Sequence, residues 1–71
     1  MTKHERIEKL EMAQDLINQA IDFISDAVAD TSKERSADVY IIAHLDNWAN
    51  GGNPYDDSIP VLIDIIAEEE N

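Results

Sequence analysis

Two histidines, His4 and His44, are the first candidates for chemistry in this chain, which contains no cysteine. A zinc site would need both histidines together with carboxylates from separate elements, and no HExxH or similar helical spacing is present. We therefore expect no metal ion and no other cofactor. His44 lies one helical turn from Tyr40 and from Trp48, which favours a position at the flank of a helix or at an interface.

The segment 46–57 partly matches a calcium-binding EF-hand loop. Asp46, Gly51 and Asp57 stand at its first, sixth and twelfth positions. Trp48 occupies the third position, where an oxygen ligand is needed, and Pro54 occupies the ninth. The mismatches favour a helix end followed by a turn.

Nucleophilic and phosphate-binding motifs are also missing from the sequence. No serine lies in a GxSxG elbow, and Gly51 and Gly52 are not followed by the lysine of a Walker loop. A 71-residue helical domain offers little concave volume for a substrate. We expect a protein that is not an enzyme.

Charge is the strongest compositional signal. Sixteen acidic residues stand against five basic ones, giving a net charge of −11. All five basic residues lie in the first 36 positions, whereas residues 37–71 contain eight acids and no Lys or Arg. Direct nucleic-acid binding needs clustered Lys and Arg and is therefore disfavoured. The acidic surface also opposes binding to anionic membranes.

Three helices must position these residues. Apolar residues recur at intervals of three and four from Ile7 to Val28, and Thr2 with Glu5 forms a capping-box pattern. A second such pattern at Thr31 and Glu34 predicts a tight turn. Gly51 and Gly52 end the second helix, and Pro60 is acceptable in the first turn of the third. The predicted helices cover residues 3–30, 32–50 and 59–69.

The predicted fold is all-α: residues 1–71 form one small domain in which a long helical hairpin is followed by a short C-terminal helix. A core of this size is marginal, and the chain has no cysteine to form a disulfide. Self-association is the remaining common way to stabilise so small a domain, and we expect a homo-oligomer, most simply a dimeric bundle. The third helix is apolar on nearly all sides, and its predicted oligomer-interface residues are Ile59, Leu62, Ile63 and Ile66.

The acids of the second half have no basic neighbours in sequence. They predict a surface that imitates the phosphates of a nucleic acid and binds a basic partner, which we expect to be a nucleic-acid-handling protein. The predicted binding acids are Asp38, Asp46, Asp56, Asp57, Asp64, Glu68, Glu69 and Glu70. The predicted aromatic anchors are Tyr40, Trp48 and Tyr55, with a core position equally open for Trp48. The alternative is a structural or adaptor module that oligomerises and whose charge serves only solvation.

The opening Met1-Thr2-Lys3, the long helix, the tight turn and the second helix containing Ser36-Ala37-Asp38 resemble the Rop family of RNA-binding hairpins. This resemblance implies a hairpin that dimerises into a four-helix bundle. The basic face that the family uses for RNA is diluted here by Glu5, Glu8 and Glu11, so only the architecture carries over. In size and charge the chain is also similar to phage-encoded DNA-mimic inhibitors of host defence, without a shared motif.

Localisation follows from two further patterns. No continuous apolar segment of the signal-peptide kind follows the N-terminus, and no window has the roughly 18 apolar residues needed to span a bilayer. We expect a soluble, cytoplasmic protein that does not bind membranes.

Overall fold

The computed structural model describes residues 1–52 and 58–69 of the chain, and in that part all regular structure is helical. The predicted all-α fold with three helices is confirmed. The first helix, α1, is Lys3–Val28. The second, α2, runs without a break from 34 to 50 and consists of α-helical Glu34–Ala37, π-helical Asp38–Ile42 and α-helical Ala43–Asn50. The third, α3, is Ile59–Glu68.

Helix α1 begins at the predicted capping box. The Glu5 amide donates to the Thr2 hydroxyl at 3.1 Å, and the Glu5 carboxylate accepts from the Thr2 amide at 3.5 Å. These bonds satisfy first-turn amides that have no partner within the helix. The helix ends at Val28, two residues before the predicted end, because Ala29 leaves the helical conformation with ψ of 133° and Asp30 is left-handed with φ of 60°.

Helix α2 begins later than predicted, and its start lacks the predicted capping box. The Glu34 amide donates to the Thr31 carbonyl at 3.3 Å, and the Thr31 hydroxyl instead accepts from the Lys33 amide at 3.2 Å. The Glu34 carboxylate accepts from the Asp30 amide at 3.1 Å. The side chains of this turn therefore stabilise the turn itself, and α2 starts at Glu34.

Both ends of the α2–α3 connection follow the sequence pattern. Gly51 closes α2 with φ of 82°, and its amide donates to the Asn47 carbonyl at 2.9 Å. A left-handed residue of this kind is the common end of a helix. Ser58 precedes α3 as its N-cap, and Pro60 lies in the first turn.

Helices α2 and α3 follow one another along α1. The Gln14 amide group donates to the Ala49 carbonyl at 2.7 Å, which places the end of α2 beside the middle of α1. Lys3 donates to the Ala67 carbonyl at 3.3 Å, so the end of α3 lies beside the start of α1. The 26 residues of α1 make a helix about 39 Å long, and α2 and α3 end to end are about as long. Both run antiparallel to α1.

The protein is a single layer of helices. Its extents are 51 × 23 × 11 Å, and the smallest of them is about the diameter of one α-helix. Its radius of gyration is 14.6 Å, whereas a compact domain of this length has about 11 Å. Each helix therefore has neighbours beside it in the layer and none above or below it.

Burial is correspondingly sparse. In the described part of the chain the only buried hydrophobic residues are Ala37, Ala49 and Ile59. We use the term inward residues for these and for the half-buried apolar positions aligned with them. On α1 they are Ile7, Leu10, Ala13, Ile17, Ile21, Ile24 and Val28; on α2, Ala37, Ile42, Leu45 and Ala49; on α3, Ile59, Ile63 and Ile66.

The π-helical segment changes one expected inward position. Val39 lies three residues before the inward residue Ile42, a spacing that would place both side chains on one face of a regular α-helix, but Val39 is 51% exposed. The i→i+5 hydrogen bonding of Asp38–Ile42 inserts about one extra residue into the turn. The insertion rotates Val39 away from α1, and Ala37 is buried instead.

Ala49 is 0% exposed and lies where α2 contacts α1, so enlarging it should cost stability. We expect Ala49→Leu to lower the free energy of unfolding by about 1–3 kcal/mol, because extra methylenes at a closely packed contact force the helices apart. Ala43→Leu is the matched control, since Ala43 is exposed on the same helix and should change stability by less than about 0.5 kcal/mol. Urea unfolding at one fixed protein concentration measures both. Equal effects would contradict the assigned packing.

Candidate functional site

A pair of asparagines identifies the first of two chemically different faces of the layer. Asn18 directly follows the inward residue Ile17, and Asn50 directly follows the inward residue Ala49. Their amide groups exchange hydrogen bonds of 3.2 and 2.8 Å across the α1–α2 contact. Residues that directly follow inward residues on these two helices therefore lie on the same face of the layer.

Helix geometry extends this rule along the whole molecule. Successive residues are about 100° apart around a helix, so the residues directly before and directly after an inward residue lie on opposite faces. An antiparallel pair of helices is related by a two-fold axis normal to the layer, which keeps each face on its own side. Helix α3 runs in the same direction as α2, so the rule holds for it too.

The residues that follow inward residues make an acidic face. Six of them are exposed carboxylates, and none is Lys or Arg. The acidic face consists of Glu8, Glu11 and Asp22 on α1, Asp38 and Asp46 on α2, and Asp64 on α3.

The π-helical turn aligns two of these acids. Asp38 and Asp46 are eight residues apart, which is too many for two α-turns. One wide π turn followed by one α-turn takes up about eight residues, so both side chains follow the same edge of α2. Asp46 also accepts a hydrogen bond of 2.9 Å from Asn50, which fixes it beside the Asn18–Asn50 pair.

The predicted acidic site is thus only partly assembled. Asp38, Asp46 and Asp64 lie on the acidic face. Glu68 lies two positions after the inward residue Ile66, at the outer edge of α3. Tyr55, Asp56, Asp57 and Glu70 lie outside the described residues.

Glu69 is held in an ion pair within the protein. The Arg6 guanidinium donates to its carboxylate at 2.9 Å. Lys3 donates to the Glu69 and Ala67 carbonyls at the end of α3, where a cation favourably opposes the helix dipole. Glu69 lacks basic neighbours in sequence, but Arg6 reaches its carboxylate in space and Lys3 reaches its carbonyl. Glu69 therefore stabilises the α1–α3 contact and is less available to a partner.

Most of the residues that precede inward residues make an apolar face, whereas the basic residues Arg6 and Lys9 precede the first two inward residues of α1. Seven large hydrophobic side chains on it range from 43% exposed at Leu62 to 72% at Phe23. The apolar face consists of Met12, Leu16 and Phe23 on α1, Ile41 and Trp48 on α2, and Leu62 and Ile65 on α3. No Asp or Glu directly precedes an inward residue anywhere in the described part.

Two of the predicted aromatic anchors, Tyr40 and Trp48, lie on the same side as the apolar face. Trp48 is 54% exposed and Tyr40 is 72% exposed, so Trp48 is not a core residue of the protomer. The Trp48 ring lies 6.2 Å from the His44 ring. An open groove of about 310 Å³ runs along this part of α2, lined by Tyr40, Ile41, His44, Leu45 and Trp48.

The predicted oligomer-interface residues separate into two groups. Ile59 is only 9% exposed, because it packs within the protomer, and Ile63 and Ile66 are half-buried inward residues. Ile59 therefore packs mainly within the protomer, and its place in an oligomer interface stays a prediction. Leu62 alone of the four lies on the apolar face.

Metal binding and membrane spanning can be compared with the described residues. Among residues 1–52 and 58–69 no group of three His, Cys, Asp or Glu side chains is placed to hold a metal ion. Asp46 and Asn50, which stand at the first and fifth positions of the calcium-loop alignment, are on successive turns of a continuous helix. No described helix is both long and apolar enough to cross a bilayer.

No family model, curated protein or solved structure matches this chain. Its function therefore has to be inferred from the two faces themselves. The acidic face is suited to a cationic surface, and the apolar face is suited to another apolar surface.

The acidic face should make the stability of the protein depend on salt. Its six carboxylates have no Lys or Arg among them, so their mutual repulsion opposes folding and is screened by added ions. We expect the urea midpoint of unfolding to rise between low and moderate sodium chloride concentration. A midpoint that falls with salt would mean that the Arg6–Glu69 ion pair and the contacts of Lys3 with the end of α3 outweigh the repulsion.

Proposed function

We propose that this protein is an acidic binding module that sequesters or inhibits a basic, nucleic-acid-handling protein through its acidic face. The observation that carries the proposal is the alignment of six carboxylates from three helices on a face without Lys or Arg. Such a face attracts a cationic cleft through complementary potential, which speeds encounter and makes binding sensitive to salt.

The shape and charge density of the protein support its role as a mimic of a nucleic acid. The chain carries a net charge of −11 along 51 Å, or about 4.6 Å of length per charge. Duplex DNA carries one charge per about 1.7 Å. One protomer therefore has a little over a third of the linear charge density of a duplex, spread along a narrow, elongated body.

Two matched triple variants distinguish an effect of the acidic face on partner binding from an effect of net charge. Asp22→Asn, Asp38→Asn and Asp64→Asn together neutralise three acids of the face. Asp15→Asn, Asp26→Asn and Glu68→Gln neutralise three exposed acids at the outer edges of the helices, two positions from an inward residue. Each triple variant removes three negative charges, so any difference in their affinity for the partner is due to the positions of the neutralised acids.

We expect the wild-type protein, immobilised and exposed to nuclease-treated lysate, to retain a basic nucleic-acid-binding protein that elutes as salt rises. The outer-edge triple should retain the same protein. The acidic-face triple should bind it about tenfold more weakly, because each exposed charge pair contributes up to about 1 kcal/mol. Mass spectrometry identifies the partner, and titration with the purified partner measures the affinity.

Inhibition needs its own measurement. The wild-type protein should displace a labelled nucleic acid from the purified partner, and the acidic-face triple should not. Equal retention by the two triples, or retention of no basic protein, would contradict the proposal.

Glu69 and Asp64 provide a single-residue comparison on α3. Glu69→Gln and Asp64→Asn each remove one charge, but Glu69 is already paired with Arg6. We expect Asp64→Asn to weaken partner binding more than Glu69→Gln does. The same affinity titration measures both, and a larger effect of Glu69→Gln would place the binding surface at the end of α3 instead.

The second candidate function is a structural or adaptor module whose main interaction is oligomerisation and whose charge only keeps it in solution. The exposed apolar face favours it. On this account the acidic-face triple would retain every interaction of the wild type, whereas substitution on the apolar face would abolish function.

A further inference from the structure

The total accessible surface of the protomer is unusually large for a chain of this mass. A compact monomer of 8.0 kDa has an accessible surface of about 4,450 Å². This protomer has 5406 Å², an excess of about 1,000 Å². The excess matches the roughly 800 Å² that each partner buries in a standard stable interface.

We propose that a second copy of this chain covers the apolar face, so that two layers stack face to face. The contact would be isologous, with the same patch used on both copies, as in most two-fold homodimers. Stacking converts two single layers into a bundle that is two helices wide and two helices deep, in which the inward residues and the apolar face share one core.

The distribution of acids points to a second copy as the occupant. A chain with a net charge of −11 repels its own copies unless their contact is free of carboxylates. No Asp or Glu directly precedes an inward residue in the described part, so the apolar face is free of acids at those positions. Two copies joined there hold their acidic faces on opposite outer surfaces, at the greatest separation the geometry allows.

A cationic partner does not fit this face as well as a second copy does. The face offers such a partner no carboxylate at the positions before inward residues, and its large side chains would have to be desolvated against charged groups. A flat face that runs along all three helices is complementary to a flat face of the same length, and a second copy supplies one.

The interface predicted from the sequence lies on the third helix alone. The proposed interface differs from it because it includes all three helices. Only Leu62 is shared, because Ile59, Ile63 and Ile66 face α1 within the protomer. Phe23 on α1 and Trp48 on α2 become central contacts instead. Large exposed aromatic side chains of this kind are common anchors of protein interfaces.

Sedimentation equilibrium of the full chain tests the proposal directly. We expect a mass twice the 8.0 kDa of the chain at micromolar concentration, with a monomer appearing on dilution. Phe23→Glu should give the monomer mass under conditions where the wild type is dimeric. Gln19→Glu is the control, because Gln19 is exposed at the outer edge of α1 and the charge change is the same. It should leave the mass doubled.

Trp48 keeps the test decisive if Phe23→Glu fails to fold. It is the only tryptophan of the chain, and in the wild type its emission should shift to the red on dilution as the mass falls. A wild-type protein with the monomer mass throughout, or a dimer whose Trp48 emission does not change on dilution, would overturn the proposal. Neither result bears on binding by the acidic face, so the two proposals fail independently.

Discussion

The contact between α1 and the α2–α3 line is the interaction on which the other features depend. It joins antiparallel helices in a single layer, so each helix is covered along one side only. The small residues Ala37 and Ala49 allow close approach there, and hydrogen bonds from Gln14 and between Asn18 and Asn50 fix the register. Because none of the described helices lies above or below the layer, the residues on either side of each inward position face solvent on opposite surfaces. Their chemistry therefore decides what each surface can bind.

The two surfaces have complementary roles in this account. Face-to-face stacking would bury apolar side chains that a single layer leaves in water, and it would leave both acidic faces outside. Two chains stacked face to face over the same 51 Å carry about 2.3 Å of length per net charge, which approaches the roughly 1.7 Å of duplex DNA. Dimerisation through the apolar face would thus raise the charge per unit length of the whole body, while each outer surface keeps the six carboxylates of one acidic face.

Much of this arrangement is readable in the sequence, but some of it depends on long-range contacts. The helices follow from apolar spacing, the Thr2 and Glu5 cap and the glycines after Asn50, all of which act locally. Recurring triplets in the sequence also indicate the two faces, because each has an apolar residue before an inward residue and a polar residue after it. These triplets are Leu16-Ile17-Asn18, Trp48-Ala49-Asn50 and Leu62-Ile63-Asp64. The π-helical turn is less visible, and it is what exposes Val39 and aligns Asp38 with Asp46. The pairing of Arg6 with Glu69 joins residues 63 positions apart, which no local pattern reveals.

The most direct test of the two faces compares the reactivity of thiols placed at adjacent residues, one on each face. The chain has no cysteine, so Asp22→Cys and Phe23→Cys each introduce a single thiol, one on the acidic face and one on the apolar face. We predict that the thiol at position 22 reacts with a labelling reagent at the rate of a free thiol at every protein concentration. The thiol at position 23 should be protected at high concentration and become reactive on dilution. Equal labelling of both thiols at all concentrations would contradict the assignment of two distinct faces, one of them covered by a second copy.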